Sequence, residues 1–415
     1  MLYATVKILM RCALNLFYTR IGSKDLQLIP DKGPVILIAN HPSSLMDAAL
    51  LGVQLKRPLH FFARGDLFRN AFAAWILRRL HMHPIHHHQN GRSTLNDNDD
   101  SFEVAMQLLE AGEIVLFFPE GISQTAYRLL PFKKGAFRLA VQMAMKNSAQ
   151  PCPVVPVGIN YSHPKLPFSQ VWIHAGTPFL PAHVPSEATD TQAFNQVVRL
   201  LTLKGAHAIS QLVIADDHHP VELAEAMFVY RNNATDPDPS LMISNEIQFA
   251  RKISSQHNRY LAEINLYREA RLRCGVTPTA PRFLKDRSLS SWPLWLGFPA
   301  AAIGWLLNAL PLQVGKWIAD KKVTREDFYS WVLVVVSLFL YLFWWLAITL
   351  LTGIIAGKAM ALTTAIALPL SGYAAWKYYQ YFVAWKDCRA VRQLNTVQKA
   401  VLEDLAAGIL TAAPV

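Results

Sequence analysis

The stretch Val35-Ile36-Leu37-Ile38-Ala39-Asn40-His41-Pro42-Ser43-Ser44-Leu45-Met46-Asp47 opens with five apolar residues and runs through a polar turn into the apolar AALLGV. A short, wholly apolar run bounded by turn residues reads as a strand covered on both faces. Residues 40–47 read as a strand-to-helix junction, in which Asn40 ends the strand, Pro42 suits the turn, and Ser43 or Ser44 can cap the helix. His41 then stands at the carboxyl end of a strand, where open α/β sheets bind ligands. Asp47 falls in the first helical turn, within reach of one imidazole nitrogen. That contact would fix the tautomer, leave the other nitrogen to take a hydroxyl proton, and stabilise the imidazolium that forms. Taken alone, the pair has a plainer reading as a turn histidine beside an aspartate that answers the helix dipole. Its neighbours have to decide.

Outward from this junction, residues 30–180 alternate short β-rich runs with helical patterns, which predicts an α/β domain with a mixed, largely parallel sheet flanked by helices. Strands are expected at 35–39, 59–63, 114–118, 154–160 and 170–175, and helices at roughly 45–54, 67–80, 100–111 and 135–146. Beyond 185 the pattern turns helical and charged, and TPTAPRF marks a linker to a strongly apolar part.

Three further segments carry chemistry. VLFFPEGISQ ends a strand at Phe118 and turns through Pro119, Glu120 and Gly121, placing an acid at a strand end beside a residue that permits close approach. PFKKGAFRLA brings Lys133, Lys134 and Arg138 to the start of a helix, a place that holds phosphate by charge and by free backbone amides. HFFARGDLFR ends another strand in Arg64 followed by Gly65, whereas the proline-interrupted VVPVGINY reads as architecture.

In this order the segments resemble the blocks of the glycerolipid acyltransferases, enzymes that acylate glycerol phosphate and lysophosphatidic acid. Asn40, His41 and Asp47 match the first block, FFARGDLF loosely the second, Phe118 to Gly121 the third, and Val155 to Gly158 the last, over about 120 residues. Two departures stand out. Five residues separate His41 from Asp47 where four are commonest, a spacing that resembles the branch with fungal glycerol-phosphate and dihydroxyacetone-phosphate acyltransferases and many bacterial relatives. His87 also stands where many relatives carry an arginine, which would weaken a phosphate contact there or move it to Arg92. The resemblance implies that His41 deprotonates the acceptor hydroxyl and Asp47 orients it, with direct attack on an acyl thioester and no acyl-enzyme. It further implies that Glu120 and Gly121 arrange the acceptor, and that Arg64, Lys133 and Arg138 are candidates for its phosphate. No cofactor and no metal are expected. The implied donor is acyl-CoA or an acyl thioester of acyl carrier protein, and the implied acceptor is glycerol 3-phosphate, lysophosphatidic acid, another lysophospholipid or an amino-lipid.

The 415-residue chain carries 40 Lys and Arg against 29 Asp and Glu, a formal charge of +11 that favours anionic partners. Its four cysteines are scattered without ligand or framework spacing and read as reduced thiols. The run from Trp331 to Gly353 is uncharged and long enough to cross a bilayer, and a second from Ala359 to Trp376 completes a transmembrane helical hairpin. Its outer flanks hold Lys321, Lys322, Arg325, Lys377, Lys386, Arg389 and Arg392 against Lys358 alone in the loop, so both flanks are expected in the cytoplasm. Residues 288–315 are apolar but interrupted by Pro293, Pro299 and Pro311, and are expected to be re-entrant or interfacial. The expected organisation is an amphipathic interface helix in 1–24, the catalytic α/β domain in 25–184, a helical extension in 185–280 and a membrane region in 281–415. The catalytic domain should sit on the cytoplasmic face of a membrane, the inner one if the source is bacterial.

Rival readings explain less. The histidines His81, His83, His86, His87 and His88 invite zinc, but their spacing is irregular and no cysteine is near. A transporter would place charged groups inside the spans, and nucleic-acid binding has only net charge in its favour. A non-enzymatic lipid-binding protein has no need of His41 and Asp47 together.

Overall fold

A computed structural model describes residues 2–85, 95–146, 151–182, 192–216, 218–234, 239–284 and 288–414. The chain divides between Ala215 and Asp216 into two compact units.

The first unit runs α1 (Leu2–Phe17), β1 (Arg20–Lys24), β2 (Val35–Ala39), α2 (Leu45–Gln54), β3 (Leu59–Arg64), α3 (Ala71–Arg79), β4 (Met82–Ile85), α4 (Leu95–Glu110), β5 (Ile114–Phe117), α5 (Gly135–Lys146), β6 (Val154–Tyr161), β7 (Gln170–Ala175) and α6 (Gln192–Ser210). Among the described residues the sheet has the order β1-β7-β6-β2-β5-β3-β4, and only β6 and β7 pair antiparallel. The fold is therefore the expected mixed, largely parallel sheet between helices. Every residue of β2 and of β6 is buried, which is why β2 reads as an unbroken apolar run and β6 starts as an apolar run interrupted by Pro156.

Right-handed crossovers put α2 and α3 on one face, where α1 packs on α2. The other face is covered by α4, α5 and α6, whose Leu109, Phe137 and Phe194 close a core over Ile36, Ile38 and Val115. Helix α6, expected in the helical extension, thus belongs with the sheet. Strands β1 and β4 were not expected. The first is the polar RIGSK and the second MHPI contains Pro84, a composition tolerated at sheet edges, where these two strands lie. At the opening junction, Ser44 sits at the cap position of α2 with φ +51 but makes no side-chain cap bond. The amide of Ser43 donates to Asp47 Oδ2 at 2.8 Å, so the acid of the first turn fastens the turn that leads into the helix.

The second unit holds α7 (Pro220–Asn233), α8 (Pro239–Ser255), α9 (His257–Arg273), α10 (Trp292–Lys322), α11 (Glu326–Ala356), α12 (Lys358–Arg392) and α13 (Thr396–Leu410). Two buried ion pairs, Arg271 with Glu225 and Arg231 with Glu246, tie α7 to α9 and α8. Helices α10, α11 and α12 are each long and apolar enough to cross a membrane.

From Trp292 on, the 288–315 segment thus enters one continuous helix, α10, despite Pro299 and Pro311. Its pairings show how the prolines act. The first half of α10 runs antiparallel to the second half of α12, with Gly297 beside Tyr378, Gly304 beside Ser371, and the Tyr381 hydroxyl donating to the Ser290 carbonyl at 2.8 Å. Its second half runs antiparallel to the first half of α11, with Gly315 beside Ser337 and the Tyr329 hydroxyl donating to Asp320 at 2.8 Å. The end of α11 then turns through Gly357 into α12, with Gly353 beside Ala361. Three straight rods cannot all be mutually antiparallel, so the helices bend where they meet, at Asn308. Pro311 has no N–H to offer the Leu307 carbonyl. Trp344 Nε1 donates to that oxygen at 2.8 Å, while buried Asn308 donates to the Leu368 carbonyl at 3.3 Å and accepts from Trp345 Nε1 at 2.8 Å.

Candidate active site

The carboxyl ends of β2, β5 and β6 converge at one edge of the sheet in the first unit. At the end of β2, Asn40 is buried and donates to the Ile159 carbonyl at 2.9 Å while accepting from the Ile159 amide at 2.7 Å, which locks the turn to β6. His41 Nδ1 lies 2.9 Å from Asp47 Oδ2, with the histidine side chain 16% exposed and the aspartate fully buried. With Nδ1 as the donor to Asp47, the proton sits on Nδ1 and the lone pair on Nε2. The five intervening residues are absorbed in the turn and the left-handed Ser44, so the longer spacing leaves the contact intact.

Asp47 is held on three sides. Besides His41 and the Ser43 amide, it accepts at Oδ1 from the Tyr161 hydroxyl at 2.6 Å. Burial and the neighbouring Asp47 charge push the Tyr161 phenol well above its ordinary range, so it stays a donor. The Tyr18 ring packs against Tyr161 at 5.9 Å between centroids. Tyr161 escaped the sequence reading because it ends a strand that reads as architecture. The signal was its position as the last residue of a buried strand ending at the same edge as His41.

Phe118 stacks its ring on the His41 imidazole at 3.8 Å. Glu120, expected at a strand end, is buried and spends both oxygens on backbone amides, accepting from His41 at 2.8 Å and from Leu130 at 3.0 Å. Burial raises its pKa while the two amides act to lower it. Glu120 thereby ties the β2 turn to the loop 119–134. That loop is fastened again by the Gln124 amide on the His41 carbonyl at 3.0 Å and by the Tyr127 hydroxyl on the Tyr161 carbonyl at 2.9 Å.

Gly121 has φ +75, and a Cβ there would meet Lys133 Nζ at 2.5 Å, so the lysine lies across the glycine just before α5. Arg64 ends β3 at the same edge but is exposed and forks onto Asp66 at 3.1 and 2.9 Å. Arg138, one turn inside α5, places its guanidinium over the Phe194 ring at 5.7 Å. The site thus gathers His41, Asp47, Glu120, Gly121 and Lys133, while Arg64 engages Asp66 and Arg138 lies over Phe194. His86, His87, His88 and Arg92 lie outside the described residues, whereas His81 and His83 flank His60 in a ring stack.

An open α/β sheet edge that carries a histidine backed by a buried, triply held carboxylate is an arrangement able to accept a proton at a strand end. Residues 20–160 match the family model described as Acyltransferase. Over 124 residues the chain is 31% identical to a chloroplastic 1-acyl-sn-glycerol-3-phosphate acyltransferase of Brassica napus, covering 30% of this chain and 32% of that protein. It is 34% identical over 128 residues to the Chlamydomonas reinhardtii enzyme of the same name, covering 31% and 36%. With the enzyme of that name from Bacillus subtilis (strain 168) it is 27% identical over 183 residues, covering 42% of this chain and 85% of the bacterial one. The chain thus spans about a third of the plant and algal relatives, and the stretch that matches the Acyltransferase family model lies within its α/β unit.

Proposed function

We propose that the chain is a membrane-anchored acyltransferase that moves a fatty acyl group from a thioester to the hydroxyl of lysophosphatidic acid or glycerol 3-phosphate. The observation that carries the reading is the His41–Asp47 contact under the Tyr161 hydroxyl. His41 Nε2 takes the proton of the acceptor hydroxyl as its oxygen attacks the thioester carbonyl. Asp47 holds the imidazolium that results. Collapse of the tetrahedral intermediate re-forms the carbonyl and expels the thiolate, which receives the proton from His41, so the products are an ester and a free thiol. A base so placed contributes typically ~10²–10⁴ in rate. The thioester is the driving force, and the donor is acyl-CoA or acylated acyl carrier protein.

Lys133, beside Gly121 and the amino end of α5, is the best-placed cation for an acceptor phosphate, combining its charge with the helix amides. Arg64 would serve on leaving Asp66, and Arg138 on leaving Phe194. Glu120 arranges the acceptor indirectly, by holding the His41 backbone and the loop that covers it. The names of the matched relatives favour lysophosphatidic acid as acceptor.

The α11–α12 hairpin is the anchor, and α10 enters and leaves on the same side. Basic residues at the outer ends of all three helices and the bend at Asn308 support this, as does the lone Lys358 at the turn. Both outer ends would then be cytoplasmic, with the α/β unit on that side. Helix α1, with Ile8 and Leu16 exposed, lies along the interface.

The test is an acceptor panel. The purified full chain in mixed micelles, given labelled acyl-CoA or acyl-acyl carrier protein, should acylate lysophosphatidic acid or glycerol 3-phosphate in preference to lysophospholipids without a phosphate monoester and to amino-lipids. Preference for one of the latter would move the acceptor assignment. Absence of transfer to every acceptor would overturn the enzyme reading in favour of a lipid-binding protein.

A further inference from the structure

We propose that the outward face of α3 is a docking surface for the headgroup and upper acyl region of an anionic phospholipid bilayer. Phe72 and Trp75, three residues apart on this helix, are 71% and 50% exposed and stack at 6.2 Å between centroids. Arg79, one turn further along the same stripe, lays its guanidinium over the Trp75 ring at 5.2 Å. Arg69 and Arg78 lie on either side, and α3 itself contains no acidic residue. The nearest acid towards its amino end, Asp66, is already paired with Arg64.

The exposure is not that of a frayed end. Asn70 caps α3 by accepting from the Phe72 and Ala73 amides at 2.9 and 3.1 Å, so the first aromatic is presented on an ordered turn. Large rings that gain by leaving water, ringed by cations, match the chemistry of a headgroup layer: the aromatics sit at the apolar boundary and the arginines meet phosphates.

The neighbouring helix on the same face has the same bias. In α1, Lys7 and Arg11 turn inward to donate to the Leu55 and Val53 carbonyls at the end of α2, which leaves Ile8 63% and Leu16 42% exposed. Tyr3 of α1 stacks on His81, just past α3, which links the two helices on this face. Because α3 begins where β3 ends, a bilayer on this face would meet the edge that holds His41. This deepens the proposed function by naming what the site docks on, and its activity arm rests on that reading.

The test uses the full chain reconstituted in phosphatidylglycerol–phosphatidylethanolamine vesicles, with Cys12 and Cys274 replaced by serine. An environment-sensitive fluorophore is attached at Trp75→Cys or, as a control on the opposite face, at Leu203→Cys of α6. Bromine atoms on the upper acyl chain should quench the label at 75 about fivefold more than at 203, and less in purely zwitterionic vesicles. In the second arm, Phe72→Ser with Trp75→Ser should slow acylation of a bilayer-embedded acceptor about tenfold and leave the rate with a short-chain, water-soluble acceptor unchanged. Labels at 75 and 203 equally open to aqueous iodide, or equal losses on both acceptors, would overturn the proposal. If the wild-type chain transfers no acyl group, the proposed function fails and the quenching arm alone decides the docking.

Discussion

Asp47 accepts three hydrogen bonds in a fully buried position, and only one of them comes from His41. A buried carboxylate deprived of a donor can reorient or draw the histidine into a different geometry, so the third donor is part of what holds the pair in place. Tyr161→Phe removes one hydroxyl and little volume. We expect kcat to fall about tenfold, the equivalent of ~1.4 kcal/mol for one lost charge-assisted bond, with KM for the acceptor little changed. Steady-state kinetics read both, and an unchanged kcat would mean that Tyr161 only fills space. His41 and Asp47 were legible in the sequence because they sit six residues apart across a junction whose strand and helix are locally encoded. Tyr161 reaches Asp47 across 114 residues, and only the neighbouring positions of β2 and β6 bring the two together. Glu120 was legible as a strand-end acid but not as a buried one, because its two partners are backbone amides that no side-chain pattern announces.

At the scale of elements, β3 and β4 carry a stack in which His60 lies between His81 and His83, with His60 Nδ1 3.1 Å from His83 Nε2. Burial, reinforced by the two neighbouring imidazoles, lowers His60 from 6.5 to about 4. The sign follows from linkage: between pH 6.5 and pH 4 the unfolded chain holds a proton here that the folded chain refuses. Stability is therefore full above the upper value and lost as pH falls towards the lower one, by on the order of 3 kcal/mol. Thermal unfolding of the first unit in detergent should show this decline, and His60→Phe, which keeps a ring in the stack, should flatten it. A decline of equal size in the variant would remove His60 as its source. Buried elements such as β2, α2, α5 and β7 match their sequence-expected bounds because apolar periodicity is strongest there. Edge strands β1 and β4 escaped because pairing on one side only lets them keep polar residues and proline.

For the whole molecule, the apolar runs were plain from composition, while the course of α10 depended on contacts. Its prolines suggested a broken segment, yet the helix continues, because side chains of α11 take over the carbonyl that Pro311 leaves without a donor. On the proposed re-entrant course of α10, single cysteines at Ser290 and Lys322 should react with an impermeant reagent from the same side of the membrane, and one at Lys358 from the other. Labelling of 290 and 322 from opposite sides would establish three crossings instead. The central claim, that His41 and Asp47 are the base of an acyl transfer, is tested most directly by initial rates of the purified full chain on its best acceptor. Comparing wild type with His41→Ala and Asp47→Asn, we predict a loss of at least about a hundredfold in kcat for the alanine variant and a smaller one for the asparagine variant. Full acyl transfer by His41→Ala would contradict it.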